Sequence, residues 1–535
     1  MKKVLMIGLD GATFSLLNPL MDEGVMPFLK ELMGRGVHAD LMSTQNPLTP
    51  PAWVSMVTGR SPDVHGIFDF LRPQPEGDMV FLKVNDSRYI RCETLWSMAS
   101  RQGRRVTSLN FFGMAPPFPV DGYMIAGFVP WKYLRSATHP PSFYDRLKTI
   151  PDLEYRHLGM AISEEKKCIQ GLEDAEFEEW IRLQGDRDGA WVGLLAHLMR
   201  TDPTELTAMV LDGPDKIQHL FWRFLDRELY DRNPTQWDTH IRELCLDYYR
   251  ALDGRIKRLV ELAGPETNIV MTSDHGFGAT TEVVYVNEWL AANGYLAWTG
   301  HAAADGSRKL TLDKIKDHTT NIDWPNTKAY SVTPSSNAIY LKRDTGDGRG
   351  VKDSEYPDFC RALRERLLAW RDPANGEQVF VEAYLNEKKM AGAKDAIDYG
   401  PDITLRLRDG GFVSIVRSGG DIIRPREKAD GTHRPNGIFI AQGPDIEGEG
   451  ERLAALDILD ITPLLLHLAG LPVPTDLEGR VPTEIFTSES LSRNPVKVSG
   501  ATQRLEEDGG EPKKDVSDEE KEALIAQMKV LGYMD

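Results

Sequence analysis

Thiols are scarce in this chain. Its 535 residues hold four cysteines, Cys92, Cys168, Cys245 and Cys360, scattered and without a Cys-x-x-Cys pair. That excludes a dense disulfide framework and points to a reducing compartment. Long apolar runs are also missing. No stretch approaches the roughly 20 residues a membrane helix requires, and the first run, Val-Leu-Met-Ile, ends within a few residues at Gly8 and Asp10, too short for a signal-peptide core. The expectation is a cytoplasmic protein with no membrane span. Positive charge is in deficit too: 63 Lys and Arg against 81 Asp and Glu leave a formal charge of −18. Such a field opposes non-specific association with DNA, RNA or anionic lipid, so a nucleic-acid polymer is not an expected partner. A small phosphate-bearing substrate stays open, because bound divalent cations reverse the local field.

What is present is enough apolar residue, 41%, for a sizeable core. Residues 4–9 form a short strand-forming run that stops at Asp10, which places Asp10 at the carboxyl end of a buried parallel strand, the edge where open α/β sheets bind ligands. The pattern recurs. Residues 206–211 lead into Asp212-Gly-Pro-Asp215, residues 268–272 into Ser273-Asp274-His275-Gly276, and residues 438–441 follow closely on Gly431-Thr-His433. Helical patterns over 51–58, 94–103, 175–198, 237–262 and 457–468 lie between them, the last reading as amphipathic. This alternation predicts an α/β fold with a doubly wound, mostly parallel central sheet flanked by helices. Residues 278–430 read as an inserted cap or substrate wall on a catalytic domain spanning 1–485. Residues 488–516 read as a polar flexible linker. Residues 517–535 read as a C-terminal helix opened by a Ser-Asp-Glu-Glu capping box, a candidate homo-oligomer contact.

Singly, each acid or histidine has a bland alternative: a turn former, a helix cap, a surface pair. Asp215 and His219, four apart, share one face if the segment is helical. Together, Asp10, Asp215, His219, Asp274, His275 and His433 all fall near predicted strand ends. They make a mixed oxygen and nitrogen set suited to Zn²⁺ and tolerable to Mn²⁺.

On these residues the chain resembles the type I phosphodiesterase/nucleotide pyrophosphatase branch of the alkaline-phosphatase superfamily. The matching text is Gly8-Leu-Asp-Gly-Ala-Thr-Phe14, Thr49-Pro-Pro-Ala-Trp-Val-Ser-Met-Val-Thr-Gly59, Ser61-Pro-Asp-Val-His-Gly-Ile67, Asp215-Lys-Ile-Gln-His219, Thr272-Ser-Asp-His-Gly-Phe277 and Gly431-Thr-His-Arg434, with Asp460-Ile-Thr-Pro463 and Gly470-Leu-Pro-Val-Pro474 as its closing part. The resemblance implies two divalent metal ions. Asp10, Asp274, His275 and the Thr49 oxygen would hold one; Asp215, His219 and His433 would hold the other. It also implies Thr49 as the nucleophile attacking a small phosphate ester. Chemistry agrees, since a threonine hydroxyl needs a metal or a base to react at neutral pH. A start of helix at Thr49 would add free backbone N–H groups and a favourable dipole; the bland reading of Thr49 is an N-cap.

Two departures stand out. Diester-cleaving members carry an Asn shortly after the His-Gly-Ile stretch where Asp69-Phe70 stands here, and a Gly where Gln218 stands. Phe70 is expected to form an apolar wall favouring a phosphate with an organic substituent, a phosphodiester or a nucleotide-, lipid- or sugar-linked phosphate. Arg60 and Arg72 read equally as replacement phosphate contacts or as surface residues. The alternatives are a phosphomutase or phosphotransferase, in which an alcohol replaces water, and a non-catalytic metal-binding relative. A sulfatase is disfavoured, because no Cys/Ser-x-Pro-x-Arg motif occupies the nucleophile position.

Overall fold

The computed structural model describes residues 3–76, 79–161, 174–300, 320–333 and 335–503. The short apolar runs become strands of one ten-stranded sheet. Across it lie Glu451–Arg452, Val37–Met42, Asn436–Gln442, Thr267–Thr272, Lys3–Leu9, Leu206–Leu211, Val106–Phe111, Gly122–Ala126 and Thr138–His139, with Leu456–Asp457 also paired to Val37–Met42. Strand Lys3–Leu9 is parallel to both neighbours, Thr267–Thr272 and Leu206–Leu211. Leu206–Leu211 and Gly122–Ala126 run parallel to Val106–Phe111 between them. Antiparallel pairs are confined to the flanks.

The two-residue period of a strand explains why these runs are apolar throughout. Val4 and Met6 enter one core, beneath helices Thr49–Thr58, Leu95–Arg101 and Ile461–Leu468. Leu5, Ile7 and Leu9 enter the other, beneath Asp174–Thr201, Gly213–Leu225 and Gln236–Ala263. The fold is therefore α/β and doubly covered. One helix departs from its expected character. Ile461–Leu468, preceded by a 3₁₀ turn at Ile458–Asp460, is buried on every side and not amphipathic, the all-apolar signature of an interior helix.

Within the segment read as an insertion, a four-stranded antiparallel sheet forms from Ala329–Tyr330, Ala338–Leu341, Ile403–Leu407 and Phe380–Leu385. With helix Tyr356–Ala369 it encloses a third core of its own. A long antiparallel ribbon, Gly276–Val284 against Ile423–Arg434, carries the chain out to this unit and back. Hairpin Leu71–Glu76/Met79–Val84 ties the units together, with Leu71 in the main core and Val80 in the third.

The linker reading needs correction at its start. Residues 488–503 form helix Ser488–Arg493 and strand Val498–Ser499, the latter parallel to Val473–Pro474. Leu491 packs against the main core, and polar bonds do the rest: Ser490 Oγ donates to buried Asp445 at 2.7 Å, and the Thr502 and Gln503 N–H groups donate to Asp476 and Glu93, each at 2.8 Å. A polar composition hid an anchored segment. The predicted final helix at 517–535 lies outside the described residues. Among the described residues no helix is long and apolar enough to cross a membrane.

Candidate metal centre

Four pieces of backbone, far apart in the chain, converge at the carboxyl edge of the sheet. Asp10 follows strand Lys3–Leu9 directly, and Asp274 and His275 follow Thr267–Thr272 by two and three residues. Asp215 and His219 stand four apart in the first turns of helix Gly213–Leu225, on one face as their spacing requires. The outgoing and returning strands of the ribbon bring in the last ligand: Phe277 pairs with His433, so the register of the ribbon sets His433 beside His275. The His275 and His433 rings stack with centroids 3.5 Å apart.

All seven residues expected at the site come together, and all are buried. They form two groups whose ligand atoms each lie within 4.8 Å of one another: Asp10, Asp274 and His275; and Asp215, His219 and His433. Thr49 Oγ1 sits 3.3 Å from His275 Nε2. It is the first residue of helix Thr49–Thr58, whose cap is Leu48 and has no side-chain bond, so Thr49 is not serving as the N-cap. One expectation about that helix start fails. Pro50 and Pro51 follow, and neither has an N–H, so the first turn offers an anion fewer backbone donors than its position suggests.

Whether this donor set fits cations can be read from its unsatisfied atoms. His219, His275 and His433 direct Nδ1 at the carbonyl oxygens of Gly431, Gly276 and Pro47, at 3.2, 3.1 and 2.7 Å. A carbonyl cannot donate, so each Nδ1 carries the proton and each Nε2 of a neutral ring presents a lone pair. Those lone pairs face one another and carboxylates: His219 Nε2 is 3.0 Å from His433 Nε2, and both lie 3.2–3.3 Å from Asp215 Oδ1. His275 Nε2 is 3.2 Å from Asp274 Oδ2 and 3.6 Å from Asp10 Oδ1. Asp10 Oδ1, Asp215 Oδ1 and Asp274 Oδ2 are buried without a hydrogen-bond partner. Ligand atoms about 2.0–2.1 Å from a tetrahedral Zn²⁺ stand about 3.3 Å apart. The residues fit a pair of divalent cations.

Electrostatics point the same way. Burial, then repulsion from Asp274 and Asp215, holds Asp10 well above the usual carboxylate range. Burial and Asp215 do the same to Asp274, against the bond from the Gly11 N–H. Burial pushes His433 down to about 4 and His275 well below the ordinary value, so both rings are neutral, the form that binds a metal.

The family model for type I phosphodiesterase/nucleotide pyrophosphatase matches residues 4–436. The chain belongs to that family. In fold, this phosphodiesterase-family protein is similar to phosphonoacetate hydrolase from Sinorhizobium meliloti 1021, solved in complex with phosphonoformate, at 18% identity over 88% of this chain and 96% of that one, TM-score 0.51. It also matches murine ectonucleotide pyrophosphatase/phosphodiesterase 5, at 17% identity over 92% and 100% of the two chains, TM-score 0.49.

Sequence reasoning missed the residues that hold the ligands of this family member. Trp53 Nε1–H donates to Asp10 Oδ2 at 3.1 Å. It lies one helical turn after Thr49, a spacing that puts both on one face, but an indole in an apolar helix reads as core. Gln218, in place of the expected Gly, donates to the Gly11 carbonyl at 2.9 Å and ties the Asp10 turn to the helix of Asp215 and His219. Gly11 adopts φ +66°, and Phe277 and Asp215 crowd the place of any Cβ there. Asp212, fully buried, takes Lys216 at 2.7 Å and Arg187 at 3.3 Å and anchors the start of the same helix.

Three expectations about flanking residues change. Phe70 is not a substrate wall: it is 1% exposed in the main core, edge-on to Phe112 at 5.0 Å. Arg60 is committed to Asp476. Arg72 stacks on Tyr89 and faces a different cleft.

Proposed function

We propose that this protein hydrolyses a small phosphate ester through a covalent intermediate on Thr49, with Asp10, Asp274, His275 and Thr49 holding one divalent cation and Asp215, His219 and His433 the other. The observation that carries this is the convergence of three carboxylate oxygens without hydrogen-bond partners and three histidine Nε2 atoms beside a buried threonine hydroxyl. Zn²⁺ suits this mixed oxygen and nitrogen set best, and Mn²⁺ is the second fit. When bound, the cations would lower the pKa of the Thr49 hydroxyl and neutralise charge on the phosphoryl oxygens.

Thr49 Oγ then attacks phosphorus, the bond to the ester oxygen breaks, and that oxygen departs and takes up a proton. Water attacks the same phosphorus from the opposite side, the bond to Thr49 breaks, and the hydroxyl is restored. Trp53 keeps Asp10 aimed while this happens, and the Nδ1 bonds to backbone carbonyls keep the three rings from turning.

The substrate reading is a diester. Its phosphate carries one negative charge and asks for fewer donors than a monoester dianion. Near the motifs the cations are otherwise engaged: Arg60 by Asp476, and Arg434 by the carbonyls of His433 and Ala279. The helix start offers few N–H groups because of Pro50 and Pro51. Three buried, unpaired cysteines, Cys92, Cys245 and Cys360, support a reducing, cytoplasmic setting.

The test is metal analysis with paired assays. The expected result is two transition-metal ions per chain, a higher kcat/KM for an aryl diester than for the matched monoester, and loss of turnover without loss of fold in Asp274→Ala and His433→Ala. Near-normal activity in either variant would refute the assignment.

A further inference from the structure

A second cavity, about 1020 Å³, opens between the hairpin Leu71–Glu76/Met79–Val84 and the smaller sheet, and none of the seven residues of the metal centre lines it. Its volume is at the upper end of ordinary small-ligand sites. Five aspartates also line it: Asp353 and Asp402 pair with cations, Asp344 and Asp347 accept backbone N–H groups, and Asp398 lies next to Tyr399 in the chain; the cations themselves are unequal. Arg343 is paired with Asp353 at 2.6 Å, Lys389 with Asp402 at 2.8 Å, and Lys342 donates to the Trp324 carbonyl at 2.9 Å. Arg72 has no ion pair among the described residues. Its guanidinium lies 3.5 Å over the Tyr89 ring and 5.7 Å from that of Tyr399, and its Nε is buried without a hydrogen-bond partner. Arg91 approaches the same Tyr399 ring at 5.5 Å.

A half-buried guanidinium without an ion pair is expensive, and tyrosine faces compensate it only in part. They do fix it in place, which lowers the ordering cost of any bond it makes. The outer nitrogens of Arg72 remain as a planar donor fork matched to a carboxylate or phosphate. Trp324, Tyr330, Tyr340 and Tyr399 supply ring surface around the same space.

We infer that this cleft is a binding site, separate from the metal centre, for a small organic anion whose carboxylate or phosphate pairs with Arg72 and whose ring packs on the tyrosines. The anion could be the distal part of a substrate or an independent effector; both share this chemistry.

The probes are benzoate, phenyl phosphate and uncharged benzyl alcohol, titrated calorimetrically into the full chain and into the metal-centre variant His433→Ala. Both anions should bind His433→Ala and benzyl alcohol should not. Arg72→Gln in that background should weaken anion binding by about 10- to 100-fold, the range for losing a charge-assisted pair, and Arg72→Lys should recover part of it. Tyr399→Ala, which leaves the charge in place, should weaken binding less. Benzoate that lowers KM-dependent turnover competitively marks the cleft as a substrate extension; benzoate that binds without competing marks an effector site. Anion binding unchanged in Arg72→Gln, or none of either anion in His433→Ala, would overturn the inference.

Discussion

At the residue scale the three acids of the two buried clusters were legible as edge residues because Asp10, Asp215 and Asp274 each fall shortly after a short apolar run, and a strand of that kind delivers the residues that follow it to the ligand-binding edge. Their division into two ligand sets came from the family resemblance. Trp53 was not legible, since nothing in an apolar helix separates an indole that packs from one that also donates a bond. Its role is testable. Trp53→Phe keeps most of the packing and removes the N–H to Asp10, so metal affinity should fall by about 10- to 100-fold with little change in melting temperature. Unchanged affinity would make Trp53 a core residue only. Asp69 gives a second prediction. It is fully buried and accepts from Ser335 Oγ at 2.8 Å, while Oδ2 has no partner. Burial pushes its carboxyl up to about 6 despite hydrogen bonds that pull the other way. A raised folded-state value means its contribution to stability is fully present below the ordinary 3.8 and is lost as pH rises through about 6. The loss amounts to about 3 kcal/mol at most. Asp69→Asn cannot ionise, so its unfolding free energy should gain on that of the native chain across this window. A pH-independent difference would show that Asp69 does not titrate there.

At the element scale the strongly periodic segments emerged with their expected character, because burial on one or two faces writes a pattern of two or 3.6 residues into the chain. Helix Ile461–Leu468 carries no such pattern, being buried all round, and a short sequence cannot tell that from an amphipathic stripe. The segment 488–503 failed for the opposite reason: its attachment is mostly polar, through Asp445, Asp476 and Glu93, and composition alone suggests solvent. Two truncations separate these readings. A chain ending at Gln503 should keep its melting temperature and activity. One ending at Thr487 exposes Asp445 and frees Asp476, and should melt several degrees lower, as loss of about 1–2 kcal/mol implies. Equal melting of the two would restore the linker reading for the whole segment.

At the scale of the whole molecule, two units with separate cores are joined by a ribbon and a hairpin, and the ribbon ends in the candidate metal centre. Its register puts His433 opposite Phe277, so the smaller unit is built into the path that completes the second ligand group. The change of pattern suggested an insertion over residues 278–430 but not that the segments flanking it pair, since pairing across more than a hundred residues leaves no local signal. The central claim is chemical: Thr49 becomes covalently modified during turnover. The direct measurement is mass spectrometry of the Thr49 peptide from metal-loaded protein, acid-quenched while turning over an aryl phosphodiester. The account predicts an added arylphosphoryl group on Thr49, absent from a Thr49→Ala variant that still binds two metals. Turnover with no adduct, at a rate that Thr49→Ala retains, would contradict it.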